Sequence, residues 1–441
     1  MRILYFLLKT TLSYSLRVFY PRMKFINSPK QPLGRTIYVS NHAASFMDPL
    51  VIAVLRMPIV FFMTRSDIFN KITQPFLWAC HMLPIYRQLD GDDTKGKNEA
   101  VFDKCAKILS FGRNLLIFGE GFTDDTFIRR LKPVKKGAVR IGFTTLEKLN
   151  WKKDIYIAAV GVNYSDPNQM RSDVLISYSD KIRLNDYREA FEENPNKVIN
   201  ELTKKIEHLM QLQLTHIKDK EHAPFHEQIM MINRKGMNAL NFDKKYSLKQ
   251  RWEYSRKLAN WFNEQNFEEN KELAALEEES RNYFSLIKRF KIQEQYMFWK
   301  ANDRNLSRSK EVMMMILLFP FAIIGAIHCA PAYILAKRFV QKTMKRKVFW
   351  GSMKVILGQL FIAIANIPLI FIFYYFIFPS WWLWIGYFFS IGLTGLAAYM
   401  WMVNFKRFKT KGVIAKTDTA KLLEKRMALE AKIKTLIPDF L

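Results

Sequence analysis

Three apolar runs near the C-terminal end, at residues 313–336, 355–378 and 381–403, constrain this chain most. At 1.5 Å per residue, each is long enough to cross a hydrocarbon layer of roughly 30 Å. Backbone polar groups find no water there, so each run is expected as a helix. Arg304, Arg308 and Lys310 precede the first run. Lys337, Arg338, Lys342, Lys345, Arg346 and Lys347 follow it, and Lys406, Arg407, Lys409 and Lys411 follow the third. The link Pro379-Ser380 is uncharged. All three basic clusters prefer one side of a membrane, which three simple crossings cannot satisfy. The first run also holds Pro320, Gly325, His328 and Pro331. It is therefore expected as a broken, re-entrant segment over 313–336, with 355–378 and 381–403 as a transmembrane pair. Three plain crossings are the competing reading.

A chain of 441 residues is too long for one ordinary core. The formal net charge of +28 and pI near 9.8 call for an anionic partner. The bilayer fits that role better than nucleic acid. The basic residues crowd beside the apolar runs, where each is attracted to anionic headgroups by roughly 1 kcal/mol. No zinc-finger, RNA-recognition or helix-turn-helix pattern appears. Cys80, Cys105 and Cys329 lie too far apart for a disulfide framework or a metal site and read as core or membrane residues. His216, His222 and His226 have neither cysteines nor an HExxH arrangement beside them, so they read as a solvated, polar helix end with no metal.

Residues 1–30 contain too short an apolar stretch for a signal peptide. On a helix, Arg2, Lys9, Ser13 and Arg17 share a narrow stripe, while Leu4, Leu7, Leu8, Leu12 and Phe19 cover the rest. This predicts an amphipathic helix lying on the bilayer, or one packed on the domain. Residues 31–195 change character. Short apolar runs at 36–40, 58–63, 114–118, 155–162 and 174–178 read as buried strands, with helices at 98–111 and 136–149 between some of them. That alternation predicts an α/β domain whose sheet is flanked by helices, with chemistry in the loops at strand ends. Residues 196–310 read as a charged helical segment with a solvated face and no chemistry. Residues 311–405 form the membrane region and 406–441 a basic C-terminal tail.

Chemistry-bearing residues gather in the α/β segment. After the first strand comes Asn41-His42, with Asp48 a turn further on. A histidine there can take a proton from a substrate hydroxyl, while a carboxylate holds its other ring nitrogen and stabilises the imidazolium. Another buried strand ends in Phe118-Gly119-Glu120-Gly121, whose glycines let backbone approach a ligand closely. Arg87 ends an apolar run, and Lys135-Lys136-Gly137-Ala138 opens a helix whose N-terminus favours anions.

This order of blocks resembles the glycerol-phosphate and lysophospholipid acyltransferase family: Asn-His-x4-Asp, an Arg-bearing block, Phe-Pro-Glu-Gly, a Lys-x-Gly-Ala block and a final Val-Pro-Val-type strand. That strand is answered here by Val160-Gly161-Val162-Asn163. The match spans about residues 34–180. Two departures stand out: five residues separate His42 from Asp48, and Gly119 replaces the proline. The longer spacing is similar to the fungal-type glycerol-3-phosphate and dihydroxyacetone-phosphate acyltransferases. The resemblance implies a membrane enzyme with its catalytic domain on the cytoplasmic face. It would move an acyl group from acyl-CoA or acyl-ACP, as co-substrate and without a cofactor, to glycerol-3-phosphate or its 1-acyl product. His42 would be the base and Asp48 its orienting acid. Arg87, Glu120, Gly121 and Lys135 would bind the acceptor. Ser45, Cys80 and Cys105 would be structural, since no covalent acyl-enzyme is needed. A lysophospholipid-remodelling enzyme and a catalytically silent scaffold are the competing functions.

Overall fold

The computed structural model describes residues 2–31, 33–55, 59–86, 94–302, 307–416 and 418–441. Its first fifteen helices and strands run α1 (Arg2–Phe19), β1 (Arg22–Ile26), β2 (Thr36–Ser40), α2 (Met47–Leu55), β3 (Val60–Arg65), α3 (Thr73–Ala79), β4 (Met82–Ile85), α4 (Thr94–Ser110), β5 (Asn114–Phe118), α5 (Gly137–Lys148), β6 (Tyr156–Tyr164), β7 (Asp173–Tyr178), β8 (Ile182–Arg183), α6 (Arg188–Glu193) and α7 (Pro195–Leu212). Helices follow: α8 (Ala223–Asn233), α9 (Leu248–Glu264), α10 (Lys271–Arg289), α11 (Glu294–Ala301), α12 (Ser309–Thr343), α13 (Trp350–Ile372), α14 (Trp381–Lys416) and α15 (Ala420–Leu436). The chain divides into two compact units. One comprises Met1–Ala223, Lys245–Asn263 and Arg346–Gly351, and the other Pro224–Lys244, Glu264–Lys345 and Ser352–Leu441.

The first unit is the expected α/β domain. Its sheet has the order β1-β7-β6-β2-β5-β3-β4, with β8 pairing to β6. The strands β6, β2, β5, β3 and β4 run parallel, and β7 runs antiparallel to β6. Every residue of β2 and β7 is buried, as strands covered on both faces require. On one face, Ile37, Val39, Leu115, Ile117, Ile157 and Ala159 meet apolar stripes from α4, α5 and α7. β2 and β5 are neighbours, yet β2 leads on to β3 and β5 leads back across to β6. Their loops therefore open a crevice at the carboxyl edge, where open sheets of this kind bind ligands.

Several expectations need correcting. Residues 22–26 form β1, a strand of the sheet beside β7, where the sequence suggested only the end of an interfacial segment. α1 packs on the domain through the buried Leu16, whereas its Phe6 and Leu7 are more than half exposed. α7 is core and not merely a solvated segment. Asn194 caps it by accepting from the Lys197 amide, Pro195 opens it, and Val198, Leu202, Ile206 and Met210 recur every four residues as a buried seam. Each such side chain contributes roughly 1.5–3 kcal/mol by leaving water. α9 also belongs to this unit, through the buried Arg251 guanidinium, which donates to Asp173 of β7 at 2.6 Å.

In the second unit α12 is one unbroken helix of 35 residues, not a hairpin broken at its prolines. Close packing on α14 outweighs the missing proline amides. A Cβ on Gly325 would come within 1.9 Å of the Thr394 carbonyl oxygen, and Gly395 lies against the Cys329 sulfur. Small residues let two apolar helices touch backbone to backbone, and that packing keeps the helix continuous through its prolines. Segments Ser309–Thr343, Lys347–Ile377 and Trp381–Ala415 are each long and apolar enough to cross a membrane. Residues 406–441 form the end of α14 and then α15, whose buried Arg426 donates to Glu294 of α11 at 2.8 Å.

Candidate active site

The register of β2 and β5 builds the site. Ser40 lies opposite Phe118, so the His42 and Glu120 loops leave the same sheet edge side by side. Asn41 fastens the first loop to β6. Its Nδ2 donates to the Val162 carbonyl at 3.1 Å, and its Oδ1 accepts the Val162 amide at 2.9 Å. The extra residue between His42 and Asp48 is absorbed at Ser45, which takes a left-handed conformation (φ 52°) and accepts the Asp48 amide at 3.1 Å. Cys105 lies fully buried in the core.

This turn brings the His42 Nδ1 to 3.1 Å from the Asp48 Oδ2. The same oxygen accepts the Ala44 amide at 2.9 Å, and the Oδ1 accepts the Tyr164 hydroxyl at 2.9 Å. Asp48 is completely buried, and three donors satisfy a carboxylate that would otherwise be costly to bury. Burial and the neighbouring Asp48 charge push the Tyr164 phenol well up, so it donates. An ionised carboxylate only accepts. The Nδ1 of His42 must therefore carry the proton, which leaves the Nε2 lone pair available. Nε2 bonds to no described residue, and the side chain is 22% exposed. The ring stacks on Phe118 at 4.2 Å between centroids, which fixes its plane.

The glutamate loop closes the other side. Glu120 Oε1 accepts the His42 amide at 3.3 Å. Burial pushes its carboxyl up to about 8, against the opposing pull of Lys132 and of that amide. Gly119 is required where the family motif has proline. Its amide donates to the Ser40 carbonyl at 3.1 Å, and a Cβ there would meet Val134 at 2.9 Å. Gly121 has φ 77°, which favours glycine, and a Cβ on it would sit 2.9 Å from the Lys135 ammonium. The Lys135 amide donates to the Gly119 carbonyl at 2.9 Å, tying this lysine to the loop.

The structure thus brings His42, Asp48, Glu120, Gly121 and Lys135 together. Arg87 lies outside the described residues. Two neighbours escaped the sequence reading. Tyr164 lies one residue beyond the block ending at Asn163, and its phenol had no motif to flag it. Lys132, 4% exposed, lies 3.1 Å from Asp124 and 3.9 Å from Glu120. Its signal was its place in the basic run before Lys135. The solvated reading of the histidine group also needs correcting. His216 is half-buried and accepts the Leu131 amide at Nδ1 (3.0 Å), supporting the irregular run before Lys135, and His226 is fully buried. Burial and the nearby Lys218 and Arg130 lower His216 to about 4, which keeps it a neutral acceptor.

Comparison with known proteins bears on this site. Residues 22–163 match the family model for Acyltransferase. No curated protein matches the chain significantly. Among solved structures, the chain is similar to the 1-acyl-sn-glycerophosphate (LPA) acyltransferase PlsC from Thermotoga maritima, at 15% identity over 46% of this chain and 80% of that one, with a TM-score of 0.31. The residues that match the Acyltransferase model contain the histidine, its buried carboxylate and the glutamate loop.

Proposed function

We propose that the protein is a membrane-bound O-acyltransferase that moves a fatty acyl group from acyl-CoA or acyl-ACP to glycerol-3-phosphate or 1-acyl-glycerol-3-phosphate. The observation that carries this reading is the histidine with one nitrogen held by a buried, fully satisfied carboxylate and the other open beside a lysine-bearing glycine loop. His42 Nε2 takes the proton of the acceptor hydroxyl as its oxygen attacks the thioester carbonyl. Asp48 stabilises the imidazolium, and the imidazolium returns the proton as the thiolate leaves. The acyl group passes directly to the acceptor. Lys135 and Arg87 bind the acceptor phosphate as charge partners, and the Glu120-Gly121 turn orders the loop around it.

The apolar helices support a bilayer setting with the catalytic domain on the cytoplasmic face. Among the described residues no candidate span precedes α12, and Arg346–Gly351, just after it, belong to the catalytic unit. Both ends of α12 then share one side, which supports re-entry without crossing by a continuous helix that bends between Pro320 and Pro331 instead of breaking there. Cysteines placed at 307 and 342 should both react with an impermeant maleimide from the side of the catalytic domain. Labelling from opposite sides would contradict this topology.

The test of function is transfer from labelled acyl-CoA and acyl-ACP to glycerol-3-phosphate, its 1-acyl product and lysophosphatidylcholine. Product on either of the first two acceptors supports the reading. Product only on the last would favour a remodelling enzyme, and none on any would favour a silent scaffold. Arg87→Ala should raise the acceptor KM with kcat little changed, as loss of uniform binding does.

A further inference from the structure

Arg346–Gly351, the end of the link after α12 and the first residues of α13, belong to the catalytic unit and meet it on two flanks of the site. Arg346 belongs to a basic cluster expected at anionic headgroups, yet its guanidinium turns onto the turn that follows Glu120-Gly121. Its Nε donates to Asp125 Oδ1 at 2.6 Å, and one NH2 donates to the Thr123 carbonyl at 2.5 Å, the Thr123 hydroxyl at 2.8 Å and the Asp124 carbonyl at 3.2 Å. The Val348 amide adds a bond to the Asp125 carbonyl at 3.0 Å. Beyond that turn, Asp124 pairs with the buried Lys132, which also donates to the Phe122 carbonyl at 3.2 Å and lies 3.9 Å from Glu120. Glu120 in turn holds the His42 amide. On the other flank, the Gly351 amide donates to Asn168 Oδ1 at 2.7 Å. The neighbouring Pro167 carbonyl accepts the Tyr20 hydroxyl at 3.1 Å, and Tyr20 packs against Tyr164, which holds Asp48.

We propose that Arg346–Gly351 is a positioning strap of the acyltransferase site, with Arg346 fixing residues 123–125 so that Lys132 and the Glu120-Gly121 loop keep the geometry that receives the acceptor. A fork donating to two backbone carbonyls, a hydroxyl and a carboxylate fixes a loop in a way that a single flexible ammonium cannot. This inference rests on the function proposed above.

The test uses the full chain in lipid nanodiscs, with initial rates measured against acceptor and donor separately. Arg346→Ala should raise the acceptor KM about tenfold, with the donor KM unchanged and kcat within about threefold. Arg346→Lys should recover only part of that loss. Asp125→Asn should raise the acceptor KM less, and adding it to Arg346→Ala should change nothing further, because the two act through one contact. Asp125 is largely exposed, so this variant keeps the inference testable if Arg346→Ala does not fold. Hydrogen exchange at amides 119–125 should then quicken in Asp125→Asn. An unchanged acceptor KM, equal rises in both KM values, additive effects or unaltered exchange would each overturn the strap. If wild-type protein transfers acyl groups and Arg346→Ala keeps its acceptor KM, only the strap fails. Absence of transfer by wild-type protein removes the functional reading as well.

Discussion

Two histidines of this chain sit in similar company and face different fates. In the catalytic unit His42 meets Asp48, which is held by Tyr164. Among the apolar helices His328 of α12 meets Asn366 of α13 and Tyr387 of α14. Its Nδ1 donates to the Asn366 Oδ1 at 2.8 Å, its Nε2 accepts the Tyr387 hydroxyl at 3.1 Å, and its carbonyl accepts the Asn366 amide at 2.9 Å. Both ring nitrogens of His328 are therefore occupied by neutral partners. One nitrogen of His42 is held by an anion, and the other is open. The first arrangement leaves no lone pair for a substrate and no counter-charge for an imidazolium, so it pins three helices together. The second supplies both. Residue type alone does not make a base; the count of free nitrogens and the charge behind the ring do.

The comparison breaks most easily at the carboxylate. Asp48→Asn keeps the shape but presents an amide, which can reverse the tautomer of His42. Acyl transfer should fall roughly 1,000- to 10,000-fold, and a loss below tenfold would mean that Asp48 does not set the proton. Tyr164→Phe sharpens the same point with a smaller effect. It removes one of three donors to a buried charge, so stability should drop by about 1.5–3 kcal/mol in denaturant titration, with activity lower but not abolished. Unchanged stability would remove Tyr164 from the site.

Glu120 tests electrostatics by pH. Its folded carboxyl is pushed up to about 8 from an ordinary value of 4.5. The native state therefore holds a proton that the unfolded chain releases earlier, and the stability this contributes is present below pH 4.5 and is lost as pH rises through about 8. Glu120→Gln should flatten the fall in melting temperature between those limits, and parallel curves would show that Glu120 is already ionised. The smallest effect belongs to His328→Leu. Bonds between membrane helices average about 0.6 kcal/mol, so stability should fall slightly and acyl transfer should stay within about twofold. A loss of activity matching that of the His42 site would erase the distinction between the two histidines.

Much of the site was legible because its residues sit in short blocks at strand ends. His42 with Asp48, Glu120 with Gly121, and Lys135 could each be read from local pattern, and parallel pairing of β2 with β5 brings the blocks together. Tyr164 and Arg346 were not legible, since their contacts with Asp48 and Asp125 span 116 and 221 residues and no local period marks them. β1 escaped because a five-residue edge strand directly after an amphipathic helix gives little signal of its own. α12 was misread at Pro320 and Pro331 because sequence shows the missing amides but not the close contact of Gly325 with α14. α7 was undervalued because its charged residues interleave in sequence with its buried seam.

Everything turns on whether the open nitrogen of His42 removes the acceptor's proton. The most direct measurement is single-turnover transfer from labelled acyl thioester to a saturating glycerol-phosphate acceptor, comparing wild-type protein with His42→Ala, both in nanodiscs and checked for equal folding. A rate loss of roughly 100- to 10,000-fold is predicted. Equal product yield from the two proteins would contradict the account.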